Sequence, residues 1–153
     1  MPRWYRVFGA GDVPPPPGAI LEHLNGLGGA VAAHFHGDET GWFRAELALG
    51  GTVALEVERF LASEEGIRAE LNSWAAWVES CGDSPAHGQL MERLIQTAQL
   101  FTLSQHEEVG DAALAERLCV GLCRFLAQAT GGIYQVDGAG FFAAGGTSLL
   151  REP

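Results

Sequence analysis

The stretch AVAAHFHGDETGWFRAELALGGTVALEVERF, Ala30 to Phe60, decides the fold. Its alternation predicts strands at about 30–36, 42–49 and 53–59, because successive side chains of a strand face opposite sides. In the first, Val31, Ala33 and Phe35 share one side, and His34 and His36 take the other. In the second, Phe43, Ala45, Leu47 and Leu49 oppose Trp42, Arg44 and Glu46. In the third, Val53, Leu55 and Val57 oppose Glu56 and Glu58. Each strand has one apolar and one polar side, the pattern of an antiparallel sheet with one wet face.

The connections set the expected register. A two-residue Gly50-Gly51 turn would pair Leu47 with Ala54 and turn Glu56 to the apolar side. A three-residue loop, Gly50-Gly51-Thr52, pairs Leu49 with Val53 and Leu47 with Leu55, so it is the one expected. With Gly37–Gly41 as the other loop, His36 faces Trp42 and His34 faces Arg44. The polar side then carries two rows, His34–Arg44–Glu58 and Ala32–Glu46–Glu56.

A His-Phe-His run beside acids invites a divalent ion, which needs neutral imidazoles and carboxylates converging on one point. Arg44 puts a fixed cation in the middle of that surface, so no metal is assigned. Trp42 among charges is the kind of exposed aromatic that interfaces use. The candidate binding residues are therefore His34, His36, Trp42, Arg44, Glu46, Glu56 and Glu58. No catalytic residue and no cofactor is assigned.

The chain has 153 residues, 47% of them hydrophobic, which fits a single globular domain, 1–153, with a real core. No apolar run approaches the roughly 20 residues that span a membrane. Met1-Pro2-Arg3-Trp4-Tyr5-Arg6 has no signal-peptide core behind it, so a soluble, cytoplasmic protein is expected. Three cysteines, Cys81, Cys119 and Cys123, do not make a disulfide framework. The formal net charge of −10 opposes phosphate-mediated nucleic-acid binding and favours a basic partner.

Residues 3–8 read as a strand, followed by a stiff connector containing Pro14 to Pro17. Ala19–Leu27 reads as a short helix, with Ile20, Leu21 and Leu24 on one side, ended by Gly26, Gly28 and Gly29. Ser63 is the expected cap of a helix over 64–79 with Ile67, Leu71, Trp74 and Val78 as its buried stripe and Trp77 beside it. Ser84-Pro85 opens a helix to about 98. A strand over 100–103 leads to the His106-Glu107-Glu108 loop. The longest helix, 111–130, is expected to bury Leu114, Leu118, Leu122, Phe125, Leu126 and Ala129, with Cys119 and Cys123 on its flank. A hairpin of 133–136 and 141–143 follows, and the tail after Gly145 reads as frayed.

Both ends of the chain run strand, helix, double glycine, strand, strand, which suggests two β-α-β-β units. The order of elements resembles that of ferredoxin-like α+β domains. The expected class is α+β, a largely antiparallel sheet with helices packed on one face. Such a likeness is one of fold and fixes no activity.

The phosphate loop G-x-x-x-x-G-K-S/T, the G-x-S-x-G elbow, S-x-x-K and H-E-x-x-H are all absent. Cys81, His87 and Asp83 are the residue types of a thiol nucleophile with its base, but their place at a helix break is better read as structural. The leading expectation is a non-catalytic interaction protein, an inhibitor of the immunity type or an adaptor, that takes a basic protein on its open sheet face. The alternatives are a small metal-dependent hydrolase using His34 and His36 with Glu46, Glu56 or Glu58, and a subunit of a homo-oligomer.

Overall fold

The computed structural model describes residues 3–28, 30–81, 85–106 and 111–152. The Ser84 cap, Asp83, Gly29 and the Glu107–Glu108 pair lie outside these described residues. The strands are β1 (Trp4–Gly9), β2 (Val31–Asp38), β3 (Gly41–Leu49), β4 (Thr52–Leu61), β5 (Gln99–Gln105), β6 (Ile133–Val136), β7 (Gly140–Ala143) and β8 (Ser148–Arg151). The helices are α1 (Pro17–Asn25), α2 (Ile67–Ser80), α3 (His87–Ile95) and α4 (Ala112–Thr130). Among the described residues the strands form one antiparallel sheet of eight in the order β2-β3-β4-β5-β1-β6-β7-β8. The class is α+β, and the tail expected to fray is instead the edge strand β8.

The helices do not share one face of the sheet, contrary to expectation. Strand alternation makes two apolar layers. Tyr5, Val7, Leu55, Val57, Phe101, Leu103 and Tyr134 face α1 and α4, together with Ile20, Leu24, Leu118, Leu122 and Leu126. The next residues along the strands, Phe8, Leu100, Ile133 and Phe141, face the other way and pack with Leu71, Val78, Leu90 and Leu94 of α2 and α3. Each fully buried Leu, Val or Phe contributes roughly 1.5–3 kcal/mol. The polar residues of 30–60 predict a wet second face. They cover only β2, β3 and most of β4; beyond them the same face turns apolar and takes its own helices.

Helix boundaries follow local chemistry. Pro17 opens α1, where its missing N–H costs nothing. The α2 helix begins at Ile67, after Gly66 at φ 84°, and Ser63 lies in the turn before it rather than at the cap. Asp111 caps α4 by accepting from the Leu114 N–H at 3.0 Å, a contact worth about 1 kcal/mol. Gly131, left-handed at φ 67°, closes that helix. A side chain on Gly132 would overlap the Phe8 carbonyl, so glycine there lets the chain enter the sheet beside β1.

Two bulges correct the expected register. Leu49 pairs with Thr52 across a two-residue Gly50-Gly51 turn, with φ 59° and 82°, and not across a three-residue loop. Ala54 is then the extra residue between Val53, opposite Ala48, and Leu55, opposite Leu47. The bulge restores the phase, so Glu46 still meets Glu56 and Arg44 still meets Glu58. In the first hairpin Asp38 pairs with Gly41 and His36 with Arg44, with Phe43 as the extra residue. His34 therefore faces Glu46, and Ala32 faces Ala48. The observed rows are His36–Arg44–Glu58 and His34–Glu46–Glu56.

The two β-α-β-β runs exist in element order but not in path. After α1 the chain reaches the far edge at β2 and its meander returns inward, β4 pairing with β5. After α4 it enters beside β1 at β6 and its meander runs outward to β8.

A buried polar pair ties the long connector of residues 10–16 to the sheet. Arg59, 4% exposed, donates to Gln99 Oε1 at 2.7 Å, to the Asp12 carbonyl at 2.9 Å and to the Trp42 carbonyl at 3.2 Å. Gln99, fully buried, donates to the Gly11 and Val13 carbonyls at 2.6 and 3.0 Å. Burial pushes the Arg59 pKa down. Its carbonyl partners compensate for lost water, with Glu64, Asp12 and Asp38 adding favourable charge. Arg59→Leu should lower the unfolding free energy by about 2–4 kcal/mol, because several buried carbonyls lose their donor. Urea unfolding checks this; a midpoint unchanged from wild type would show the network to be dispensable.

Candidate functional site

The bulge at Phe43 decides what the meander exposes. It turns Trp42 to the helix-covered side, where the ring is 5% exposed and its Nε1–H donates to the Pro15 carbonyl at 2.8 Å. Trp42 packs 5.5 Å from Phe35 and 5.6 Å from Phe101, ring centre to ring centre. The expectation that Trp42 offers an exposed aromatic is overturned; Phe43, expected to be buried, is 46% exposed. Adjacent aromatics leave the alternation ambiguous, and the buried acceptor at Pro15 settles it in favour of the indole.

The other six candidate residues do lie together on the open side. His36 Nε2 is 3.1 Å from Glu46 Oε1, and the His34 and His36 rings meet edge to face at 4.5 Å. Arg44 faces Glu58 in register, but its guanidinium donates diagonally to Glu56 at 3.1 Å. His106, at the end of β5, brings a third imidazole to within 3.6 Å of Glu56. The hydrogen bond from His36 holds the Glu46 carboxyl below the usual glutamate range, with Arg44 adding to the effect. These side chains are about a third to a half exposed, so water screens them.

The observed register puts His34, Glu46 and Glu56 in one row, closer to a ligand set than the expected one. Yet among the described residues no group of three His, Cys, Asp or Glu side chains is placed to hold a metal ion. Arg44 sits on Glu56 and His36 on Glu46, so two of the carboxylates already have partners. Below Phe43 the surface dips into a hollow of about 350 Å³ lined by Asp38, Thr40, Phe43, Glu58, Arg59, Phe60, Leu61 and Glu64.

A second concave feature lies on the same face of the sheet, over its other half. Glu70, Ser73, Trp74 and Trp77 of α2 face Gln135, Asp137 and Glu152 across a cleft of about 290 Å³. Trp74, expected in the buried stripe, is only half-buried, and Ala75 takes its place in the core. The signal in the sequence was Glu70, Trp74 and Trp77 at helical spacing; the strand residues opposite are more than fifty positions away and leave no local trace.

The cysteines offer no nucleophile in the helix core. Burial pushes Cys119 up to about 12 and Cys123 well above the ordinary thiol value. Cys81 is half-buried at the end of α2. The chain matches no protein-family model, no curated protein and no solved structure, so any functional reading rests on its own residues and the ferredoxin-like likeness stays one of element order.

One measurement tests the meander surface and another the placement of the cysteines. Replacing His36 by Ala removes the donor that favours the Glu46 carboxylate, so its pKa should rise towards the ordinary glutamate value. Carbon NMR of the side-chain carboxyl reads this. The sign is that of a depressed folded-state pKa: the contribution to stability is present above the unfolded pKa and lost as pH falls through the folded one. An unmoved Glu46 titration would mean that His36 does not set it. In thiol labelling of the native protein near pH 8, Cys81 should react alone, with Cys119 and Cys123 following only on unfolding. Rapid labelling of all three would contradict the buried placement.

Proposed function

We propose that this chain is a non-catalytic binding domain whose uncovered sheet face takes a basic protein partner, as an immunity-type inhibitor or an acidic adaptor would. The observation that carries this reading is where the helix cover stops. The α2 and α3 helices sit over Phe8, Leu100, Ile133 and Phe141 and reach Phe60, and among the described residues no helix covers this side of β2, β3 and most of β4. Asp38, Glu46, Glu56, Glu58 and Glu64 lie on or beside that surface, against two guanidiniums, exposed Arg44 and Arg59, which is buried at the wall of the hollow and committed to backbone carbonyls and Gln99. Exposed Phe43 and half-buried Phe60 give the hollow an apolar floor for the stem of a lysine or arginine. Acidic surroundings and an overall charge of −10 steer a basic surface towards it.

The test is the pair Arg44→Glu with Glu58→Arg, which leaves net charge unchanged while inverting the local pattern. A basic protein captured by wild type and identified should bind the purified double variant at least about tenfold more weakly, roughly 1.4 kcal/mol. Its binding to wild type should also weaken as salt is raised. Melting temperatures of both forms guard against misfolding. Equal affinity of the two folded forms for that partner would remove the sheet face from the interaction.

A further inference from the structure

We infer that the cleft between α2 and the β6–β7 turn binds a small organic cation, an alkylammonium or guanidinium group, through the Trp74 and Trp77 rings and the carboxylates of Glu70 and Glu152. This site is separate from the β2–β4 face and does not depend on the proposed partner.

The cleft is built from aromatic and acidic groups. Trp74 and Trp77 stand nearly edge to face, 5.9 Å between ring centres at 69°. Phe141, fully buried beneath them, lies 5.9 Å from each. Indole faces carry negative electrostatic potential, and a cation within about 6 Å of the ring centre is attracted to them. The chain already uses this chemistry there: the Arg6 guanidinium sits 4.7 Å from the Trp74 ring centre.

Arg6 does not exhaust the negative charge. It is held by Asp137 at 2.8 Å and by Gln135 at 2.9 Å, which accounts for one carboxylate. Glu70 accepts from the Trp74 indole at 3.2 Å and Glu152 from the Gly138 N–H at 2.7 Å. Those neutral donors fix the two carboxylates without cancelling their charge. An anion would meet both carboxylates, and a neutral apolar ligand would desolvate them without compensation. A cation with a short apolar body satisfies the rings and the charges together. A volume of about 290 Å³ suits a ligand of few heavy atoms.

The experiment is calorimetric titration at about 0.15 M salt, where diffuse attraction to an acidic protein is screened. The probes are tetramethylammonium, n-butylammonium, methylguanidinium and neutral tert-butanol. Nα-acetyl-lysine N-methylamide is added, to tell a lysine displayed on a polypeptide from a free amine. Saturable binding of at least one cation at about millimolar or better is expected, with none for tert-butanol. Glu70→Gln/Glu152→Gln keeps both acceptors but removes both charges and should weaken binding about tenfold, as should Trp77→Leu. Indole N–H resonances should shift in the wild type, with Trp74 among those moved. Tighter binding of the lysine amide or of the free amine identifies the source. The inference fails if no cation saturates, if tert-butanol binds equally, or if the folded glutamine double variant binds as wild type does.

Discussion

Pro14, Pro15 and Pro16 have no N–H to donate, and the connector that carries them into Pro17 of α1 crosses the end of the sheet with its carbonyls turned inward. Buried carbonyls need donors, and this connector has few of its own. The sheet supplies them from side chains: Arg59 to Asp12, Gln99 to Gly11 and Val13, Trp42 to Pro15. Three strands, β3, β4 and β5, are thereby fixed against one loop. The Ala10 and Gly11 N–H groups in turn bond the Thr130 carbonyl at the end of α4, both at 3.0 Å. The loop thus joins the longest helix to the meander.

That demand explains the bulge at Phe43. A regular hairpin would keep Trp42 in phase with Arg44 and aim the indole at water. The extra residue reverses it, so that its N–H reaches Pro15 and its ring closes the core beside Phe101. The bulge at Ala54 does the complementary work at the other end of β3, letting a tight Gly50-Gly51 turn coexist with apolar pairing of Leu47 and Leu55. The polar rows of the open surface are a by-product of both corrections.

Much of this architecture was legible. Alternation placed the meander, 3.6-residue spacing placed the helices within a few residues at each end, and the pairings Leu47–Leu55 and Arg44–Glu58 followed from keeping apolar faces together. What was not legible had physical reasons. Period two carries no record of an inserted residue, although Trp42-Phe43 and Val53-Ala54-Leu55 are consecutive apolar residues that a strict half-wet strand does not contain. Arg59 and Gln99 sit in the apolar phase of their strands, after Val57 and before Phe101, and that misplacement was the readable sign of a buried polar pair. Six of the seven candidate site residues were brought together as expected, and Trp42 was not. The second helix layer and the tryptophan cleft depend on β1, β6 and β7 meeting α2, a juxtaposition set by topology and absent from any local window.

The position of β1 near the middle of the sheet imposes an order on assembly. Its neighbours are β5 and β6, roughly a hundred residues or more further along. Until those segments have left the ribosome, Tyr5, Val7 and Phe8 have no strand to pair with, whereas β2, β3 and β4 need only their own short turns. The meander is the part that forms from local contacts, and the centre of the molecule is the part that waits. Long-range closure of this kind slows folding, because loop entropy is lost before the central contacts are gained. An apolar strand held open for most of synthesis is also where a nascent chain is most exposed to pairing with the wrong neighbour.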